Sequence, residues 1–208
     1  MTISLQNLHS KYKLNIRGVI HIGANKGEEY ESYKNLNIKN MVFVEPRPDE
    51  FIKLINRIND PNCVFIQKAL GNKTGIEKMY ISYGGGSPGA SSSILKPKLH
   101  LDLHKKIKFH ESLLEVEMEK LDNLSIDFEK YNFINIDVQG YELEVLKGSE
   151  RCLSSIDYLY TEINRDEVYE NCAHIDEMDK YLKPFGFVRV ETDWCGNLWG
   201  DAFYIKNL

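Results

Sequence analysis

Apolar residues along this chain gather in short runs divided by polar or amphipathic stretches, and the period of each run indicates its element. Residues 17–22 (Arg-Gly-Val-Ile-His-Ile) and 41–45 (Met-Val-Phe-Val-Glu) read as strands, with a helix over 27–36 between them. Pro48 suits the first position of a second helix, where Asp49 and Glu50 favour the dipole. That helix carries Phe51, Leu54, Ile55 and Ile58 at helical spacing. A strand over 63–70 closes at Gly71-Asn72, and 74–82 alternates well enough for another. Residues 113–121 alternate Leu, Val and Met with Glu115, Glu117 and Glu119, which predicts a strand with one wet face. Residues 133–138 are apolar except for Asn135 and Asp137, as expected of a central parallel strand. A helix over 141–153, a strand over 158–163 and a helix over 176–182 follow, the last stopped by Pro184-Phe185-Gly186. Residues 187–191 and 202–206 suit a closing antiparallel pair. Strand and helix alternating in this way predict an α/β fold with a doubly wound, mainly parallel sheet and helices on both faces.

One stretch breaks the alternation. Residues 83–93, Tyr-Gly-Gly-Gly-Ser-Pro-Gly-Ala-Ser-Ser-Ser, cannot form a regular element and are expected to be a flexible loop. It leads into a segment, 96–110, with five lysines and three histidines against one acid, Asp102. Together they predict a Gly/Ser-rich loop and basic lid at about 83–112, with glycines supplying hinge freedom. Such a lid suits an anionic acceptor; a solvated basic loop has the same composition. His110 and His104 are candidate bases, and His100 with His104 could share a metal only on a helix.

Composition bounds the rest. The 208 residues fit one domain, 1–208, with a sizeable core. A net charge of −5 gives no general argument for nucleic acid, and the lid lacks interleaved aromatics, so no nucleic-acid partner is expected. No apolar run approaches the roughly 20 residues of a membrane span. The polar first thirteen residues lack the apolar core of a signal peptide, and the four cysteines have no Cys-x-x-Cys spacing. Free thiols and a cytoplasmic location are expected.

The chemistry begins at Ile22-Gly23-Ala24-Asn25-Lys26-Gly27, an apolar run that stops at a Gly-x-x-x-Gly turn. Backbone amides at such a turn can approach a ligand closely. The spacing is not that of Gly-x-Gly-x-x-Gly, and Asn25 can serve as a middle glycine because Asn tolerates a left-handed backbone. Glu45, ending the second strand, is placed to pair with a ribose diol. Asp137 stands at the carboxyl end of the central strand, where open α/β sheets bind ligands, beside a turn through Gly140. Glu142 either handles a proton or favours its helix's dipole. Glu162 ends the next strand on the same rim. Asp137, Glu142 and Glu162 together suit a divalent cation or a general base with raised pKa. Near the C-terminus, Trp194, Trp199, Phe203 and Tyr204 suit either an acceptor pocket or the core.

Four blocks resemble the FkbM-type S-adenosylmethionine-dependent methyltransferases. They are 20–27 (Ile-His-Ile-Gly-Ala-Asn-Lys-Gly), 44–48 (Val-Glu-Pro-Arg-Pro), 134–142 (Ile-Asn-Ile-Asp-Val-Gln-Gly-Tyr-Glu) with Val145-Leu146-Lys147-Gly148, and 160–164 (Tyr-Thr-Glu-Ile-Asn). The resemblance implies a Rossmann-like methyltransferase fold with a seven-stranded sheet and an antiparallel final strand. It also implies methyl transfer from S-adenosylmethionine to an oxygen, with a sugar hydroxyl of a glycan, nucleotide sugar or secondary metabolite as acceptor. His21, Gly23, Ala24, Asn25, Gly27, Glu45, Pro46, Lys68, Ala69 and Asp137 would hold the cofactor. Asp137, Glu162, Glu142 and His110 would be catalytic. Such transfer does not require a metal, and none is expected. This chain departs from the family at His21, where an acid is usual, and at Gln139, where Glu is usual. A module that binds the nucleoside without turnover, or a nucleic-acid methyltransferase, would be the alternatives.

Overall fold

The computed structural model describes residues 2–207. The element order is α1 (Leu5–Tyr12), β1 (Gly18–Ile22), α2 (Tyr30–Asn35), β2 (Asn40–Val44), α3 (Pro48–Arg57), β3 (Cys63–Ile66), β4 (Ala69–Leu70), β5 (Gly75–Met79) and β6 (Ser82–Gly84). Then come α4 (His100–Leu103), β7 (Ile107–Phe109), β8 (Leu114–Glu119), β9 (Phe133–Ile136), α5 (Glu142–Lys147), α6 (Glu150–Leu153), β10 (Tyr158–Asn164), α7 (Ile175–Leu182), β11 (Phe187–Cys195) and β12 (Trp199–Lys206). Seven strands form one sheet in the order β11-β12-β10-β9-β1-β2-β3. Strands β3, β2, β1, β9 and β10 run parallel, and β12 is antiparallel to both its neighbours. The mainly parallel sheet with an antiparallel closing strand is as expected.

Strand β1 is buried along its whole length because helices cover both faces of a central parallel strand. Alternate residues feed two cores. Ile20, Ile22, Val42, Val44, Ile134 and Ile136 pack on one face, while Val19, Met41, Phe43 and Phe133 pack on the other. The polar first residues conceal α1, whose Leu5 and Leu8 are buried against the second core.

Three expected elements are divided. The strand expected over 63–70 breaks after Ile66, and Ala69–Leu70 turns into a second sheet, β4-β8-β5. The strand over 74–82 ends at Met79, and Ser82–Gly84 pairs with β7 instead. The helix over 141–153 breaks at Gly148-Ser149, where a Cβ on Gly148 would overlap the carbonyl of Gly71. No helix among the described residues is long and apolar enough to cross a membrane.

Candidate active site

The carboxyl ends of β1, β2, β9 and β10 open onto one cleft. Its first wall is the turn after β1. Gly23 N and Ala24 N donate to the Val44 carbonyl at 2.9 and 3.0 Å, tying this turn to the end of β2. Gly23 has φ +81° and so close an approach to β9 that a Cβ would overlap the Asp137 carbonyl oxygen. Asn25 takes the left-handed conformation expected of it, φ 47°, and donates its N–H to Glu45 Oε2 at 2.9 Å. Glu45 Oε1 accepts from Arg47 N, also at 2.9 Å. The carboxylate thus anchors two loops while each oxygen keeps a lone pair. Burial pushes its pKa up to about 7, although the two backbone donors and the Arg47 charge oppose the rise. Gly27 lies outside the cleft; its φ of +74° and its contact with Leu54 and Ile58 explain the glycine as packing.

The cleft has three lobes, and Asp137 and Ala90 wall all of them. The first carries Glu45, Pro46, Lys68 and Ala69 beside an apolar slot of Leu70, Met79, Ile94, Val138 and Tyr141. The second is polar, lined by His21, Gly23, Ala24, Asn25, Glu28, Glu29 and Asn135 with Asp137, Tyr160, Glu162 and Asp201. The third lies under the lid between His100, His104, Tyr169 and Trp199 on one side and Asp137, Glu162 and Asp201 on the other.

The two departures from the family pattern have local physical explanations. His21 and Asn135 are opposite one another on adjacent central strands, and Tyr33 serves both. Asn135 Nδ2 donates to the Tyr33 hydroxyl at 2.8 Å, which leaves the phenolic proton for His21 Nδ1 at 3.3 Å. This arrangement requires a neutral His21, and burial lowers its pKa to about 4. Asn135 Oδ1 is buried without a hydrogen-bond partner in the wall of the second lobe, an acceptor for a donor bound there.

Gln139 occupies a left-handed position, φ 58°, from which Nε2 donates to Asp137 Oδ1 at 2.7 Å and to Glu162 Oε2 at 2.9 Å. The Tyr169 hydroxyl lies 2.9 Å from Gln139 Oε1 and 3.0 Å from the Ser91 carbonyl, one proton shared by two acceptors. Glu162 is buried, and its pKa stands well above the carboxylate range, first through burial and then through repulsion by Asp137, Glu142 and Asp201. The Asp137 side chain reaches solvent in the cleft but is enclosed by protein elsewhere. Burial and then the Asp201 charge raise its pKa, against the hydrogen bond from Gln139.

Glu142 and His110 stand elsewhere. The Glu142 carboxylate is turned onto the Val138 and Gly140 N–H groups at 3.1 and 3.0 Å, fixing the turn that aims Gln139, and it lines none of the three lobes. His110 stacks on Tyr83, ring centroids 4.6 Å apart, outside the cleft. The lid presents His100 and His104 there instead. Arg47, which stands in the 44–48 block without an assigned role, donates to the Gly89 carbonyl at 3.1 Å and Ser92 Oγ at 3.2 Å. Ser93 Oγ donates to the Gln139 carbonyl at 2.6 Å. The loop expected to be flexible therefore has Ser91, Ser92 and Ser93 buried and latched over the cleft.

Comparison with known proteins gives a consistent result. Residues 21–189 match the family profile described as the methyltransferase FkbM domain. The 2-O-methyltransferase NoeI of Sinorhizobium fredii is 27% identical over 159 residues, which take in 73% of this chain and 65% of that protein. The N-methyltransferase NodS of Bradyrhizobium japonicum superposes with a TM-score of 0.56 at 10% identity, covering 97% of this chain and 95% of the other. Magnesium protoporphyrin IX methyltransferase of Synechocystis, solved with bound S-adenosylmethionine, gives 0.50 at 8% identity, over 90% of this chain and 69% of the other. At such identities these structures establish a shared fold.

Proposed function

This chain belongs to the FkbM methyltransferase family, and from that premise we propose that it transfers a methyl group from S-adenosylmethionine to a hydroxyl of a sugar-like acceptor. The observation that carries the reading is Asp137, among the described residues the one carboxylate that lines both nucleoside-side lobes and the lobe under the lid. The name of the NoeI relative supports oxygen as the atom methylated.

The residues fit the cofactor in three respects. Glu45 has a free lone pair on each oxygen for a ribose diol. Leu70, Met79, Ile94, Val138 and Tyr141 suit an adenine face. The acid-lined second lobe, with the orphaned Asn135 Oδ1, suits the ammonium and sulfonium charges. When bound, the cofactor supplies a methyl group already activated by its positive sulfur.

The chain's own work is to orient the acceptor and take its proton. Gln139 occupies Glu162 Oε2 and leaves Oε1 to accept the acceptor hydroxyl's proton as its oxygen gains the methyl group. Glu162 must first lose its own proton, and a cationic neighbour promotes that loss. Asp137, fixed by the same amide, contributes negative charge beside the sulfonium.

Calorimetric titration with S-adenosylmethionine, S-adenosylhomocysteine and NAD tests the cofactor assignment. Binding of the two sulfur nucleosides but not NAD is expected, with S-adenosylhomocysteine released on addition of a carbohydrate acceptor. Binding without release on any acceptor would favour a non-catalytic module.

A further inference from the structure

The lobe beneath the lid has a charge pattern opposite to that of the lid's sequence. We propose that this lobe is the acceptor site and that it takes a polyol carrying no negative charge, either neutral or amine-bearing, stacked on Trp199. The inference rests on the methyl-transfer reading and specifies its substrate class.

The acidic side chains lining the lobe are Asp137, Glu162 and Asp201, and among the described residues no lysine or arginine lines it. The five lid lysines are directed elsewhere. Lys96 pairs with Glu170 at 2.7 Å and Lys98 pairs with Glu167. Lys105 and Lys106 line a separate recess with Gly85, Asp102 and Leu103, and Lys108 lies on β7 outside the lobe. His100, also in the wall, is only 2% exposed and its pKa is lowered to about 4, mainly by burial and then by His104, so it brings no cation. An anionic sugar would thus be desolvated beside acids, with no lysine or arginine among the described residues to neutralise it.

The same wall suits hydroxyls and amines. Asp201 Oδ2 already accepts from the Tyr160 hydroxyl at 2.6 Å and Thr2 N at 2.5 Å, leaving Oδ1 as an acceptor. His100 Nδ1 is buried with no partner in the structure, and a ligand hydroxyl could supply one. Trp199 is half-buried, edge-on to His104 with centroids 6.3 Å apart, and offers an aromatic surface to the apolar face of a sugar ring.

The test uses the whole chain and matched sugars in three charge classes: neutral methyl glycosides, amino sugars, and uronic acids with sugar phosphates. Calorimetry with S-adenosylhomocysteine comes first, then initial rates of its release from S-adenosylmethionine. Turnover is expected with neutral or amino members, with kcat/KM at least about 100-fold below theirs for any anionic counterpart. Trp199→Ala should raise acceptor KM at least tenfold and leave the Kd for S-adenosylhomocysteine within twofold. His104→Gln gives a second probe should the first variant fail to fold. Efficient turnover of anionic sugars would overturn the charge assignment alone, whereas cofactor binding without turnover in any class would favour a non-catalytic module and remove this inference with the methyl-transfer reading. Failure of either sulfur nucleoside to bind would also remove the methyl-transfer reading and this inference with it.

Discussion

Gln139 Nε2 lies 2.9 Å from Glu162 Oε2 while its second proton reaches Asp137, so one neutral amide holds two carboxylates that would otherwise repel. The family's usual glutamate would place a third acid there. Gln139→Glu is therefore expected to destabilise the fold by about 1–3 kcal/mol at pH 8, where two donated hydrogen bonds become repulsions. Lowering the pH to 6 should recover part of the loss, because a protonated Glu can donate again. Urea midpoints at the two pH values measure it; an equal loss at both would mean that the amide bridge is unimportant.

Turnover should carry the same signature. Burial and three neighbouring acids hold the Glu162 proton to higher pH than an ordinary carboxyl would. If Glu162 Oε1 accepts the substrate proton, kcat/KM rises with pH along a limb above the carboxylate range and then levels. Glu162→Gln should lower kcat by at least about 100-fold, within the range of general-base contributions, while cofactor affinity changes little. A flat profile from pH 5 to 8 in the unsubstituted enzyme would exclude this role.

Folding stability should fall as pH rises from 6.5 to 8. Glu45 and Glu142 are buried carboxyls with pKa raised to about 7 from an ordinary 4.5, in each case first by burial. Acids raised on folding stabilise fully below their unfolded pKa, and that contribution disappears as pH climbs through the folded value. His21, lowered to about 4 from 6.5, acts in the opposite direction, but its contribution is lost only as pH falls below 6.5. Thermal midpoints across pH 5–8 check the balance. Saturating S-adenosylmethionine should flatten the decline more than S-adenosylhomocysteine does, because its extra positive charge favours the ionised acids.

Much of this could be read from the chain because strand period and glycine placement are local. The continuous apolar runs at β1 and β9 announced central parallel strands, and Asn25 was expected to adopt the left-handed conformation it has. What could not be read depends on tertiary partners. Glu142 looked like a rim acid until the Val138 and Gly140 amides claimed it. The basic lid suits an anionic acceptor or a solvated loop equally in sequence, and nothing local to Lys96 and Lys98 reveals Glu170 and Glu167 some seventy residues on. Loop composition is silent in the same way: Gly, Pro and Ser signal irregular backbone, and the contacts of that backbone with Arg47, Gln139 and Tyr169 are tertiary.

Glu45 offers a test of the nucleoside lobe. Glu45→Gln keeps the side chain's shape but turns one acceptor into a donor facing either Asn25 N or Arg47 N. A tenfold to hundredfold loss of S-adenosylmethionine affinity is expected, about 1.4–2.8 kcal/mol. Calorimetry reads it directly, and unchanged affinity would remove Glu45 from the ribose site.

Arg47 is the final test, because it joins the cofactor lobe to the loop above it. Its guanidinium is 7% exposed, holds Gly89 and Ser92, and lies 2.7 Å from Asp49 and 3.7 Å from buried Glu50. Truncation would leave Glu50 with Lys53 as its remaining ion-pair partner and the loop without its anchor. Arg47→Ala is expected to cost about 1–3 kcal/mol, the range for lost hydrogen bonds to a charged group, because Lys53 still pairs with Glu50. Ser92→Ala separates the latch from the ion pair, since it removes one hydroxyl that accepts from Arg47 and from Ser82 N. It should cost about 1–3 kcal/mol and expose residues 84–93 to proteolysis before the fold as a whole is lost. Cleavage confined to that loop, suppressed by S-adenosylmethionine, would identify the latch as a cover over the cofactor lobe. Cleavage spread along the chain, or confined to the loop but indifferent to the nucleoside, would show that the loop and the cofactor lobe are not coupled.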